Sequence, residues 1–155
     1  MFRVIIKTIQ MRNSKHLVIL FVAIFFAITT FGQIQTEPWT SDQLMQPENL
    51  AAIINDSAAE KPLIIDVGPA GSIKGAIKVG SAKEKENFNN LKKLLSKEDK
   101  KRTIIIYCGC CPFKVCPNIR PAFELLTKMK FTNHKLLNMP NNLKIDWINH
   151  GYPMN

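Results

Sequence analysis

The run from Thr103 to Leu126, Thr-Ile-Ile-Ile-Tyr-Cys-Gly-Cys-Cys-Pro-Phe-Lys-Val-Cys-Pro-Asn-Ile-Arg-Pro-Ala-Phe-Glu-Leu-Leu, constrains this chain more than any other segment. Thr103 to Tyr107 is short, apolar and β-branched, the pattern of a strand buried on both faces in a parallel sheet. From Pro121 onward, Ala122, Phe123, Leu126 and Met129 recur at helical spacing, and proline suits the first helical position. The loop between strand and helix holds all four cysteines of the chain. A cysteine that leaves a buried strand just ahead of a helix meets converging backbone N–H groups and a helix dipole. That environment favours a thiolate and can hold an anionic group on sulfur.

The flanking sequence supplies the rest of an α/β pattern. Thr40 or Ser41 is placed to cap a helix carrying Leu44, Leu50, Ile53 and Ile54, broken or restarted at Pro47. Leu63 to Val67 is a second buried strand, and Ala76 to Val79 a short third one after Gly68, Pro69, Gly71 and Gly75. Glu86 to Leu95 sets Phe88, Leu91, Leu94 and Leu95 on one helical face. Lys135 to Leu137 predicts a last strand and Leu143 to Ile148 a final short helix. Strands alternating with helices predict a single α/β domain, its mainly parallel sheet flanked by helices. Sites in such sheets form outside the carboxyl ends of the strands. Asp66 and Cys108, each ending a strand, are therefore expected at one rim.

The first third of the chain concerns address. Arg3, Lys7, Arg12 and Lys15 precede an apolar run from Leu17 to Phe31, too short to span a bilayer and suited to a signal-peptide core. The expected division is a signal peptide over residues 1–32, an exposed lead-in over 33–39 and one domain over 40–155. Met11 offers a second start. The protein is then exported, periplasmic or secreted, with no membrane span left once the leader is removed. Four of the 21 basic residues go with the leader and none of the 12 acidic ones, so 17 against 12 leaves a balance of +5. Lys92, Lys93, Lys97, Lys100, Lys101 and Arg102 carry much of it without interleaved aromatics. That is a solvated helix face, and no nucleic-acid partner is expected.

In an oxidising compartment cysteines often serve as staples, but staples join distant elements. Here all four lie between Cys108 and Cys116, so they can stiffen one loop and cannot hold the domain together. Stability must come from an ordinary core. Separation along the loop allows Cys116 to pair with Cys110 or Cys111, leaving Cys108 free, because its strand fixes its direction.

Several segments, in order, resemble the rhodanese-like (sulfurtransferase) domain. Leu63-Ile64-Ile65-Asp66-Val67 is similar to its strand ending in Asp-Val. Gly71-Ser72-Ile73-Lys74-Gly75-Ala76-Ile77 resembles its Gly-His-Ile-Pro-Gly-Ala-Ile segment, with Ser72 and Lys74 as replacements. Ile106-Tyr107-Cys108 matches the strand that delivers the catalytic cysteine, Arg120 the arginine closing the active loop, and Trp147 with Gly151-Tyr152-Pro153 the C-terminal ending. Two departures stand out. Arginine follows cysteine after twelve residues rather than the family's five, and Gly68 stands where an arginine commonly follows Asp-Val.

The resemblance implies that Cys108 attacks a sulfane sulfur and carries it as a persulfide. Gly109, Cys110, Cys111 and Asp66 would line the substrate site, and Arg120 would bind an anionic donor or fix the loop. The partners would be a small-molecule or protein sulfur donor and a thiol acceptor, with no cofactor. Three other readings of the same residues remain open. Cys108-Gly109-Cys110-Cys111 has the Cys-x-x-Cys spacing of thioredoxin-like exchangers, with Met139-Pro140 available as a cis-proline. A permanently oxidised loop would leave only a binding domain. Cys-x-Cys-Cys with a later cysteine can also chelate a soft ion such as Cu(I) or Zn. Structural zinc sites generally draw pairs from two segments and this loop has no histidine, so no metal is expected. His134 and His150 are expected on the surface.

Overall fold

The computed structural model describes residues 37–155; the expected leader and the first part of the lead-in lie outside the described residues. The elements run β1 (Leu44–Met45), α1 (Pro47–Asn55), β2 (Leu63–Asp66), β3 (Ile77–Lys78), α2 (Lys85–Leu95), β4 (Ile104–Tyr107), α3 (Ile119–Lys128), β5 (His134–Leu137) and α4 (Leu143–Asp146). The five strands form one sheet in the order β1-β5-β4-β2-β3, and every pairing is parallel. The expected α/β class is the one observed. Among the described residues no helix is long and apolar enough to cross a membrane.

The central strands explain the rest. All four residues of β2 and all four of β4 are buried, as covering both faces of a parallel sheet requires. They pair in register from Leu63 with Ile104 to Asp66 with Tyr107. Because side chains alternate along a strand, Ile65, Val67, Ile104, Ile106, Cys108 and Leu136 join one core with Leu91, Leu95, Phe123 and Leu126 of α2 and α3. Ile64, Ile105, Tyr107 and Leu137 join the other, against Leu50 of α1, Leu143 of α4 and Trp147. The parity of β4 thus aims Cys108 at the α2–α3 side.

Four local expectations change. Leu44 lies on the edge strand β1, paired with Leu136, and the helix begins only at Pro47. Helix α3 starts at Ile119, so Pro121 is its third residue; it is still in the first turn, where a missing N–H removes no intrahelical bond. The lead-in is not exposed at its end: Trp39 is buried, its ring 5.7 Å from Phe113 and 5.6 Å from Phe123 between centroids. His134 is buried too. Its Nδ1 lies 2.9 Å from the Phe131 carbonyl oxygen and its ring 4.6 Å from that of Phe123, and burial lowers its proton affinity. His150 is exposed, stacked on Tyr152.

Candidate functional site

Strand β4 is the middle strand of five, and Cys108 follows its last residue at the carboxyl rim. The chain then turns through Gly109, whose φ of +73° favours glycine. The Gly109 carbonyl accepts from the Leu143 N–H at 2.9 Å, tying the loop to α4. A 3-10 turn at Phe113–Val115 folds the chain back and buries Cys116 beside Cys108. The Sγ atoms of Cys108, Cys110 and Cys116 all lie within 4.8 Å of one another. Cys108 and Cys110 sulfurs are 3.1 Å apart, and those of Cys110 and Cys111 are 3.3 Å apart. All four are free thiols, Cys108 and Cys116 buried, Cys111 partly covered and Cys110 exposed.

Asn118 and the Cys110 backbone both favour negative charge on Cys108 sulfur, Asn118 Nδ2 donating to it at 3.3 Å. They are outweighed. The neighbouring Cys116 thiol and burial push the Cys108 thiol strongly up, so at rest it holds its proton. Burial also raises Cys110 and Cys111.

Asn118 is a site residue that sequence reasoning missed. It precedes α3, where asparagine usually caps, but its side chain makes no cap bond. Its Oδ1 instead accepts from the Lys83 N–H at 3.1 Å, which fixes Nδ2 on the sulfur. Gly68 is a second omission. A Cβ on it would stand 2.2 Å from the Cys108 carbonyl oxygen and 2.5 Å from its Sγ. Only a bare backbone fits against the cysteine there.

Asp66 and Cys108 do share the rim, yet they occupy opposite faces of the sheet, as their strand parity dictates. Asp66 is fully buried, with Oδ1 accepting from the Gly68 N–H at 2.9 Å and Oδ2 lacking a hydrogen bond. The nearby Tyr107 hydroxyl lowers its proton affinity a little without completing a bond to Oδ2. Tyr107, pushed up to about 12 mainly by burial, accepts from the Ile73 N–H at 2.9 Å. Asp66 thus shapes the Gly68 turn from within rather than lining an open crevice. Arg120 stands over Trp39, its guanidinium carbon 5.8 Å from the ring centroid, within cation–π range.

A scan of protein-family models finds none that matches, and a search of curated proteins finds no significant relative. The assignment of chemistry therefore rests on the residues themselves. Cys111, partner of Cys108 in the Cys-x-x-Cys reading, stands outside the group formed by Cys108, Cys110 and Cys116, while Cys110 sulfur lies 3.1 Å from that of Cys108. The Met139-Pro140 bond is trans, since no cis peptide occurs among the described residues.

Burial pushes Asp66 up to about 6 from 3.8. The folded state then binds this proton more tightly than the unfolded one. Its stabilising share is full below pH 3.8 and is lost as pH rises through 6. Relative to Asp66→Asn, whose side-chain oxygen can still accept from Gly68, the wild type should lose about 1–3 kcal/mol between pH 4 and pH 7.5. Urea unfolding of both proteins at the two pH values checks it; a difference that stays constant with pH contradicts the assignment.

Proposed function

We propose that the domain is a rhodanese-like sulfur carrier in which Cys108 takes up sulfane sulfur as a persulfide. One observation carries this reading: a single cysteine follows the central parallel strand, with Asn118 Nδ2 donating to its sulfur and the Cys110 backbone also favouring its anion. Both donors favour negative charge at the atom that must bear it, as thiolate and then as persulfide anion. The ordered resemblance of the Asp66-Val67, Gly71–Ile77 and Trp147–Pro153 segments adds to it. Those last two segments lie together. The Lys74 N–H donates to the Pro153 carbonyl, and Asn155 N–H to that of Ser72, both at 3.1 Å.

In the step itself Cys108 gives its proton to water and the thiolate attacks the outer sulfur of thiosulfate. The S–S bond of the donor breaks, its electron pair leaves on sulfite, and the sulfane sulfur stays on Cys108. A thiol acceptor then attacks that outer sulfur and regenerates the Cys108 thiolate. Proton loss is the difficult part, because the resting thiol is held protonated. Rates should accordingly rise with pH throughout the neutral range.

The 3.1 Å approach of Cys110 favours a second reading, dithiol–disulfide exchange between Cys108 and Cys110. Intact-mass measurement of the reduced protein after thiosulfate separates the two. The expected result is one added sulfur atom, located on Cys108 by peptide mapping. A loss of two hydrogens without sulfur gain assigns the loop to exchange.

A further inference from the structure

We propose that the cysteine loop is a three-thiolate site for a soft d10 cation, Cu(I) foremost, formed by Cys108, Cys110 and Cys116. This goes beyond sulfur carriage, and the two states exclude one another, because metal and sulfane sulfur would claim the same Cys108 sulfur.

The argument begins with distance. A d10 metal–thiolate bond of about 2.3 Å places three trigonal sulfurs about 4 Å apart. The three Sγ atoms already lie within 4.8 Å of one another, Cys108 and Cys110 at 3.1 Å, so small movements complete the triangle. Ligands from one short segment are a poor start for a four-sulfur zinc site, which needs two pairs. A three-coordinate ion has no such need, and the 3-10 turn at Phe113–Val115 returns Cys116 to Cys108.

The surroundings suit an ion with little need for water. Cys108 and Cys116 are buried in the core that includes Val67, Phe113 and Ile119, while exposed Cys110 provides the entry side. No histidine or carboxylate belongs to the cluster, a donor set that selects Cu(I) over harder ions. Asn118, its Oδ1 held by the Lys83 N–H, supplies through Nδ2 the outer hydrogen bond that steadies a metal-bound thiolate. Held by three thiolates, one Cu(I) takes the place of three thiol protons and leaves a complex of net charge −2. Cys111, although 3.3 Å from Cys110, stands outside the triad.

The test is anaerobic titration of the reduced protein with Cu(I) against a chromophoric Cu(I) chelator, with no sulfur donor present. One equivalent should be retained per chain. Cys111→Ser should keep it, Asn118→Ala should weaken it about 10- to 100-fold, and loss of a triad cysteine should weaken it further. In the wild-type chain, bound Cu(I) should protect Cys108, Cys110 and Cys116 from alkylation while Cys111 reacts. That readout needs no variant, so unfolding of a serine mutant cannot imitate or hide the result. No retained copper, or protection that includes Cys111 and is lost in Cys111→Ser, overturns the three-thiolate site. A Zn(II) complex that displaces Cu(I) overturns it as well. Copper binding stands or falls apart from sulfur carriage: the titration contains no sulfane sulfur, and persulfide formation is measured without metal.

Discussion

Cys108→Ser is expected to bring sulfur transfer from thiosulfate to background, a loss of at least about 1000-fold. In the proposed sulfur-carrier mechanism the persulfide forms and discharges on the same atom, so no neighbour can replace it. Cys110→Ser and Cys111→Ser should retain transfer at reduced rate, because they alter the loop around Cys108 without removing the nucleophile. A dithiol exchanger behaves differently, since its resolving cysteine is indispensable. Insulin-disulfide reduction run beside the transferase assay therefore discriminates. Reduction that requires both Cys108 and Cys110, whose sulfurs are 3.1 Å apart, would hand the loop to exchange. Arg120→Ala should raise KM for anionic thiosulfate more than it lowers kcat, because it removes a fixed positive charge and leaves the sulfur untouched. Full activity in Cys108→Ser would refute the sulfur-carrier proposal.

The order of elements was legible because β2, β4, α2 and α3 announce themselves locally. Leu63 to Asp66 and Ile104 to Tyr107 are unbroken apolar runs ending in a polar residue or glycine turn, and Leu91 and Leu95 repeat at helical spacing. Cys108 at the rim followed from that order alone. What failed to show was set by partners remote in sequence. Strand β1 has two residues, too few for any period, and exists because Leu136 and Leu137 offer it an edge. Trp39 follows a polar stretch and is buried only because Phe113 and Phe123 come to it. His134 begins a strand, and its burial depends on the Phe131 carbonyl and Thr127 hydroxyl that satisfy its ring nitrogens. Asn118 belongs to the site only through its two partners, Lys83 and Cys108, which the sequence does not place beside it. The spacing of the cysteines gave their proximity in the chain but not which sulfurs meet, because a 3-10 turn decides it.

Gly68→Ala is expected to destabilise the domain by about 3 kcal/mol, at the upper end of what overpacking costs. In the sequence, Gly68 stands where the resemblance to rhodanese-like domains leads to an arginine after Asp66-Val67. The structure gives glycine a positive reason to be there. An added Cβ would meet the Cys108 carbonyl oxygen at 2.2 Å and its Sγ at 2.5 Å. The first is backbone at the end of the central strand, so no rotamer change relieves it. Relief requires β2 and β4 to part at their carboxyl ends, where the Val67 N–H donates to the Tyr107 carbonyl at 2.9 Å. The Gly68 N–H bond to buried Asp66 would be strained with it. Gly75→Ala is the matched control, because Gly75 has a φ of +78° and open space around it. Its cost is the left-handed backbone alone, about 1 kcal/mol. Urea unfolding should rank the two variants accordingly, and Gly68→Ala should also speed alkylation of Cys108 by loosening the turn that covers it. Equal stability of the two proteins would mean that the rim yields easily, and the close packing of Gly68 on the cysteine would then have no part in holding the site.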